Sequence, residues 1–287
     1  MGSDTRSGLS FEFFPPQTPA GVEKLGDVTR RLATFSPEFF SVTFGAGGST
    51  RERTRDIVFA ISDEGLAVAP HVSCIASTRE NIKAMLEEYR QRGIQRVVTL
   101  RGDLPSGMAQ AGEFRYASEL VAFVRAEYGD AFHIEVAAYP EYHPQSRTAQ
   151  DDLLNFKRKV EAGADSAITQ YFFNADAYFH FREQCAAMGV SIPIVPGIMP
   201  IGRFHQLARF SDACGAEIPR WIRRKLEGYA DDAESIRAFG LDVVTRLCDR
   251  LLRNEAPGLH FYTMNQADTV STICEQLGLR DDRHTQT

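Results

Sequence analysis

Glu12 lies inside Phe-Glu-Phe-Phe-Pro-Pro (residues 11–16), a lone carboxyl group set among aromatic rings. Partial burial raises a carboxyl pKa, so this position predicts a group that holds a proton near neutral pH and acts as a general acid. A pair of opposite charges stands at Arg101-Gly102-Asp103, directly after the apolar, β-branched run Val97-Val98-Thr99-Leu100. Such a run suits a strand buried on both faces, and its abrupt end places two charges and a flexible backbone at the strand's carboxyl terminus. Polar residues recur at equivalent places: Thr43, His71, Tyr139 with Glu141 and His143, and Gln170. A rim built only for stability needs none of them, so their accumulation on successive strand ends predicts a shared site.

Two further stretches extend that site. Asn155, Arg158 and Lys159 are spaced i, i+3, i+4 and share one helix face beside Asp152, while Leu153, Phe156 and Val160 define the buried face. Such a face could hold a diphosphate or could simply be solvated. Gly45-Ala46-Gly47-Gly48-Ser49-Thr50 fails as a dinucleotide fingerprint, because Thr50 stands where the third glycine belongs and the next strand ends in Pro70-His71 rather than an acid. A glycine turn there still lets a flat ligand approach the backbone closely.

The elements that must position these residues follow from periodicity. Eight strand-like runs are expected at 11–14, 39–43, 68–72, 96–100, 133–137, 166–169, 193–196 and 259–262. Helical patterns follow most of them: Leu25, Val28, Leu32 and Phe35; Ile57, Ala60 and Ile61; Ile82, Met85, Leu86 and Tyr89; Tyr116, Leu120, Phe123 and Val124; then Leu153, Phe156 and Val160. This alternation predicts an α/β fold, a single-domain (β/α)₈ TIM barrel. Extra helices at 204–214, 219–229 and 233–252 fall between strands 7 and 8, and a helix at 268–277 closes the ring. The domain reading is a flexible N-terminus at 1–9, a barrel at 10–279 and a disordered tail at 280–287.

Composition narrows the partners. With 287 residues and 43% apolar content, one barrel is an allowed size. The net charge of -6 arises from mixed acids and bases without long runs, which argues against nucleic acid and anionic membranes and for a small-molecule ligand. Five scattered cysteines give neither a disulfide framework nor a thiolate metal site, so reduced thiols and a cytoplasmic location are expected. No apolar run reaches the roughly 18 residues that span a bilayer.

Nine segments taken together carry a family resemblance: 11–16, 41–46, 70–75, 100–103, 137–144, 152–159, 167–173, 196–200 and 260–265, among them Leu-Arg-Gly-Asp, Ala-Ala-Tyr-Pro-Glu-Tyr-His-Pro and His-Phe-Tyr-Thr-Met-Asn. In this order, from about Ser10 to Leu279, the chain resembles the bacterial methylenetetrahydrofolate reductases. The resemblance implies a barrel with non-covalent FAD that reduces 5,10-methylenetetrahydrofolate to 5-methyltetrahydrofolate with NADH or NADPH in a ping-pong cycle, supplying methyl groups for methionine synthesis. It also implies a homo-oligomer and no metal. Glu12 matches the family's proton donor, and Asp103 the carboxylate near the flavin that contacts the folate ring. The FAD positions are matched by Thr43, Phe44, Ala46, His71, Arg101, Gly102, Asp103, Ala117, Tyr139, His143, Asp152, Asn155, Arg158 and Lys159. Substrate positions are matched by Thr43, Asp103, Gln170, Gln206, Phe210 and, after Tyr-Thr-Met-Asn, Gln266.

The chain departs from the family twice. Gln266 stands where well-known members have an arginine expected to meet the folate, and Gln17 replaces the basic residue usual after Phe-Phe-Pro-Pro. Two rival readings use the same residues. In one, His71, Asp103, Glu141 and His143 ligate a hydrolytic metal, although Arg101 beside Asp103 opposes a cation. In the other, the chain is a flavin-binding folate reductase subunit that takes electrons from a partner protein.

Overall fold

In this computed structural model the strands sort their side chains with a period of two. Residues 8–44, 51–75, 77–102 and 112–280 are described. The strands are β1 (Gly8–Phe13), β2 (Phe39–Val42), β3 (Val68–Ser73), β4 (Arg96–Leu100), β5 (His133–Ala138), β6 (Ser166–Thr169), β7 (Ile194–Val195), β8 (Gly197–Ile198) and β9 (Gly258–Tyr262). All pair in parallel, in the order β7-β6-β5-β4-β3-β2-β1-β9-β8. On β1, Phe11 and Phe13 point out into the helix-packed core, whereas Ser10 and Glu12 point into the barrel, where they meet side chains of β3 and β9.

The seventh strand is not the single run expected at 193–196. It breaks at Pro196, which has no N–H to donate. Its first half, β7, pairs with β6, and its second half, β8, pairs with β9. The Pro196 carbonyl still accepts from the His260 N–H at 3.0 Å. Barrel closure therefore passes through one residue, and the sheet is a closed TIM barrel of eight units. The seam tolerates no side chain at Gly197, where a Cβ would stand 2.1 Å from the Thr169 carbonyl oxygen.

The helices are α1 (Pro19–Ala33), α2 (Arg51–Asp63), α3 (Arg79–Gln91), α4 (Ala117–Tyr128), α5 (Ala149–Glu161), α6 (Ala175–Ala187), α7 (Phe204–Cys214), α8 (Arg220–Gly228), α9 (Ala233–Arg253) and α10 (Asp268–Gln276). Three of them start at threonine caps: the hydroxyls of Thr18, Thr78 and Thr148 accept from the N–H groups of Gly21, Asn81 and Asp151. The extra helices α7, α8 and α9 lie between the seventh and last barrel strands, as expected. β1 spans Gly8–Phe13 rather than the expected 11–14, because Gly8 and Leu9 pair with Gly258 and Leu259. The tail from residue 281 lies outside the described residues. No described helix is long and apolar enough to cross a membrane.

The barrel interior is layered. Phe39, Ala69, Val98 and Ile168, one from each of four strands, form a small apolar cluster separate from the main core. Phe39 stacks on the His260 ring above it at 6.1 Å and carries the Arg96 guanidinium below it at 4.5 Å. Beneath this layer Arg96 pairs with Glu135, which is 1% exposed. Burial pushes the Glu135 carboxyl up, but His133, Ser166 and Arg96 together hold it below its ordinary range.

Replacing Arg96 with Met should therefore leave a buried carboxylate without its permanent counter-charge, with only His133 and Ser166 beside it, and lower unfolding stability by about 3 kcal/mol. Because the Glu135 pKa is depressed in the folded state, its stabilising contribution is present above the unfolded carboxyl pKa and is lost as pH falls through the folded one. Urea unfolding at pH 7 and pH 4 would check both points: the Arg96→Met deficit should shrink at the lower pH, and a deficit independent of pH would contradict this account.

Candidate active site

At the carboxyl end of the strands two cavities open side by side. One, of about 460 Å³, is lined by Glu12, Phe14, Gln170, Tyr171, Phe210 and Tyr262 among others. The other, of about 840 Å³, runs between β4, the start of α4 and the face of α5, past Arg101, Gly102, Ala117, Asp152, Asn155, Arg158 and Lys159. Tyr139, His143 and Gln145 line both, so the two form one bent site with the β5 loop at the elbow. At that elbow the Tyr139 and His143 rings meet edge to face at 4.6 Å.

Glu12 does not have the environment that its aromatic flanks suggested. Its carboxylate lies 3.2 Å from His71 Nε2 and 3.5 Å from His260 Nε2. Neither ring is aligned for a hydrogen bond in the strict geometric sense, so these are charge contacts first. Burial pushes the carboxyl up, as expected, but the opposing effect of His71 and His260 wins and holds it down at about 2. In the ligand-free protein Glu12 is therefore a carboxylate, which corrects the expectation of a carboxyl protonated by burial alone. The physical reason is that β9, next to β1, and β3, one strand beyond β2, each turn a histidine toward Glu12.

The β4 end depends on a glycine. Gly102 has φ +83°, and a Cβ there would lie 2.0 Å from Ser73 Oγ. This close approach lets the Arg101 carbonyl accept from Ile75 N–H at 2.9 Å and from Ser73 Oγ at 3.0 Å. The Arg101 side chain reaches across the elbow to Gln145. Asp152, at the start of α5, accepts from the His143 N–H at 2.9 Å and from Ser146 Oγ at 3.1 Å, so it shapes the elbow loop. Tyr142 in that loop adopts φ +106°. Glu141 accepts from the Glu217 N–H at 2.7 Å and is thus committed to the α7–α8 connection.

On α5 the Arg158 guanidinium donates to Asn155 Oδ1 at 2.7 Å, and the Lys159 amine donates to the Ala137 carbonyl. Burial pulls Lys159 down to about 8, against the opposing pull of Asp152. Its ammonium is poorly solvated and short of a full counter-charge, which suits an anionic ligand.

Several expected residues lie elsewhere. His71 lines neither cavity, being buried against Glu12. Thr43 and Phe44 are half-buried at the end of β2, with the Thr43 carbonyl accepting from Thr54 Oγ1 at 2.9 Å, and neither is among the lining residues. Gln206 lines a separate cavity of about 640 Å³ with Arg203 and Arg209, although Phe210, one turn on, lines the acidic one. Gln266 is exposed, in the turn after β9 where Met264 and Asn265 have positive φ. Ala46 and Asp103 lie outside the described residues. Among the described residues no group of three or more His, Cys, Asp or Glu could hold a metal ion. The sequence reading missed Gln145, Tyr171, Tyr262, Ser10 and His260; a histidine in the middle of a buried strand was the available signal for the last.

Lys159→Met should remove a buried charge and leave the ligand-free protein no less stable at pH 7. It should also weaken binding of a dinucleotide diphosphate about 10- to 100-fold, the scale of one charge-assisted hydrogen bond. For the parent, binding should weaken as pH rises through about 8, where the lysine loses its charge. Flavin-fluorescence titration of FAD into apoprotein between pH 7 and 9 would test this, and an identical pH dependence in the variant would refute it.

Known proteins resemble this chain along nearly its whole length. Residues 3–278 match the methylenetetrahydrofolate reductase family profile. The chain is 42% identical to the 5,10-methylenetetrahydrofolate reductase of Escherichia coli K12, covering 95% of this chain and 91% of that one. It is 40% identical to the reductase of the same name in Buchnera aphidicola of Schizaphis graminum, over 94% of this chain and 91% of that one. A solved Clostridium thermocellum protein, described as binding two copies of 5-methyl-5,6,7,8-tetrahydrofolic acid, shares the fold with a TM-score of 0.64 at 15% identity over 94% of both chains. With the match running from one end of the described barrel to the other, the chain belongs to the methylenetetrahydrofolate reductase family.

Proposed function

We propose that this protein reduces 5,10-methylenetetrahydrofolate to 5-methyltetrahydrofolate with NADH or NADPH as hydride donor, supplying methyl groups for methionine synthesis. The observation that carries this reading is the bent site itself: an aromatic cavity with one carboxylate, joined at Tyr139 and His143 to a long cleft edged by Arg101, Arg158 and Lys159.

The cofactor is FAD, and the residues present fit it. The cleft is elongated, its β4 end is fixed by Gly102 packed against Ser73, and the poorly solvated Lys159 ammonium awaits an anion. Lys159, Arg158 and Asn155 would hold the diphosphate, while Tyr139 and His143 would border the ring system at the elbow. When bound, the flavin supplies a two-electron hydride carrier. The chain supplies the rest. Phe210 and Phe14 wall the substrate cavity with apolar surface that suits a planar pterin or nicotinamide, and the Gln170 amide offers both a donor and an acceptor. Opening the folate's five-membered ring requires a proton on the departing nitrogen. Glu12 is the carboxyl group at this cavity wall, with two imidazoles behind it; ionised in the ligand-free protein, it would take up a proton in the substrate complex and pass it to that nitrogen. The family resemblance assigns Asp103, outside the described residues, a role beside the flavin, and a negative charge there would disfavour the anionic reduced ring. A homo-oligomer and a cytoplasmic location belong to the same reading.

Glu12→Gln should leave flavin reduction by NADH intact and slow folate reduction by roughly two orders of magnitude or more. Anaerobic stopped-flow traces of each half-reaction would decide it, and normal folate turnover would sink the assignment. The same experiment separates the rival in which a partner protein supplies electrons: parent flavin that NADH and NADPH both leave oxidised would favour that rival.

Gln266 sits on the exposed rim, two residues beyond the cavity-lining Met264. Gln266→Arg should lower the folate KM several-fold, since an exposed charge contact is worth about 1 kcal/mol or less. The NADH half-reaction should hardly change. Steady-state folate kinetics check the first statement, and an altered rate of flavin reduction would place Gln266 on the wrong side of the site.

A further inference from the structure

Helix α7 runs past two cavities, and only one of them belongs to the bent site. Its later residues Phe210, Ala213 and Cys214 line the acidic cavity. Its earlier residues His205, Gln206 and Arg209, with Arg203 just before them, line the second cavity, of about 640 Å³, which Ala233 and Ile236 of α9 bound from another side. Gln206 and Phe210 are four residues apart and lie one above the other on the helix surface. A molecule leaving the acidic cavity along α7 would therefore pass Gln206 and enter the second cavity. Two guanidiniums and an imidazole line that cavity against one acid, Asp231. Among the described residues neither Arg203 nor Arg209 is paired with an acid, and Arg209 rests over the Phe210 ring at 5.6 Å. From α8 a third guanidinium without an acidic partner, Arg223, lies over the Phe204 ring at 5.9 Å. By contrast Arg246, Arg250 and Arg253 on α9 each meet an aspartate. In a chain of net charge -6, a row of unpaired cations along one cavity attracts an anion that the rest of the surface repels.

We infer that the cavity beside the first turns of α7 binds the γ-linked glutamate chain of a polyglutamylated folate whose pterin occupies the acidic cavity. This rests on the folate reading of the acidic cavity. A folate ends in a glutamate, and each further γ-linked residue adds one carboxylate on a flexible spacer. The tail is thus a string of anions that leaves an apolar head. Arg209, Arg203 and Arg223 suit a string, because each planar guanidinium offers its own fork to one carboxylate. A single phosphate would need the three gathered around one point, whereas here Arg209 is drawn to Phe210 and Arg223 to Phe204. Gln206, between Phe210 and the arginines, has an amide that offers a donor and an acceptor to the first peptide link of the tail. Arg203 and Arg209 are exposed and Arg223 is half-buried, so each contact stays solvated and sensitive to salt. The tail thereby adds affinity without touching the chemistry at Glu12.

Calorimetric titration of the FAD-loaded protein with 5-methyltetrahydrofolate, as the monoglutamate and as the pentaglutamate, tests this without turnover. The parent should bind the pentaglutamate roughly tenfold more tightly, the scale of two or three exposed charge contacts, and high salt should erase the difference. The double variant Arg203→Gln, Arg209→Gln should lose most of that advantage and bind the monoglutamate as the parent does. Arg203→Lys with Arg209→Lys, which keeps the charge, should retain part of it. Equal affinity of the parent for the two ligands overturns the proposal, and so does an advantage that the glutamine variant keeps. A glutamine variant in which only flavin reduction by NADPH is weakened also overturns it, because the cations would then serve the extra phosphate of that nucleotide. A parent that binds neither folate would instead overturn the functional reading. Titration with the γ-linked pentaglutamate peptide alone, at low ionic strength, would still decide this inference: the parent should bind it and the glutamine variant should not, and equal behaviour of the two overturns it.

Discussion

A carboxylate can sit inside a barrel only if something there replaces the water it has lost. For Glu12 the replacement is a pair of imidazoles from β3 and β9, at 3.2 Å and 3.5 Å, and their combined effect exceeds the desolvation that opposes it. Much of the upper barrel follows from this requirement. One histidine comes from β9, so β9 must close onto β1, and the other from β3, beyond β2; β9 in turn is held by β8 across the break at Pro196. The closure seam and the acid are thus parts of one arrangement: the Pro196 carbonyl accepts from the N–H of His260, the residue whose ring faces Glu12.

The lower barrel solves the same problem differently. Glu135 has a guanidinium, Arg96, in place of imidazoles, and Arg96 cannot give up its proton at any physiological pH. One buried carboxylate is locked and the other is adjustable. Phe39 lies between them, with a cation beneath it and an imidazole above it, and the apolar cluster of Phe39, Ala69, Val98 and Ile168 keeps the two ionic layers apart. In a low-dielectric interior such separation matters, because charges in contact would share their titration and the acid could not be tuned independently of the structural pair.

The strands and most helices were legible because their signals are local. Val97 to Leu100 is a short β-branched run, and the threonine-capped helices carry clear apolar stripes. Helix α6 was not legible: Tyr178 and Phe181 are buried, but Phe179 beside them spreads aromatic surface around the helix and blurs the period. The split of the seventh strand was signalled by Pro196 itself, and only the partner change on either side of it was hidden. At the site, Glu12, Gln170 and Phe210 were identified and do share a cavity, as do Arg101, Asn155, Arg158 and Lys159 in the cleft. The protonation of Glu12 was misread because its aromatic neighbours in sequence, Phe11 and Phe13, point away from it, whereas the histidines that decide the matter come from distant strands. No local pattern encodes a contact between strands so far apart along the chain.

The remaining acids explain how a chain with 38 acidic and 32 basic residues presents a cationic cleft. Acidic side chains at the barrel ends are turned onto backbone N–H groups: Asp152 onto His143, Glu141 onto Glu217, Glu119 onto Arg115, Glu113 onto Arg79 and Asp165 onto Ile134. Each of these bonds is charge-assisted, and each ties a loop or helix start to its neighbour. The acids that stabilise the rim are thereby committed to backbone N–H groups. Arg158 and Lys159 keep their charge facing the cleft, where among the described residues Asn155, a carbonyl, the Phe156 ring and the partial counter-charge of Asp152 are nearby. A bound diphosphate would meet loops already fixed in place and cations not yet neutralised, so little ordering would be left to oppose binding.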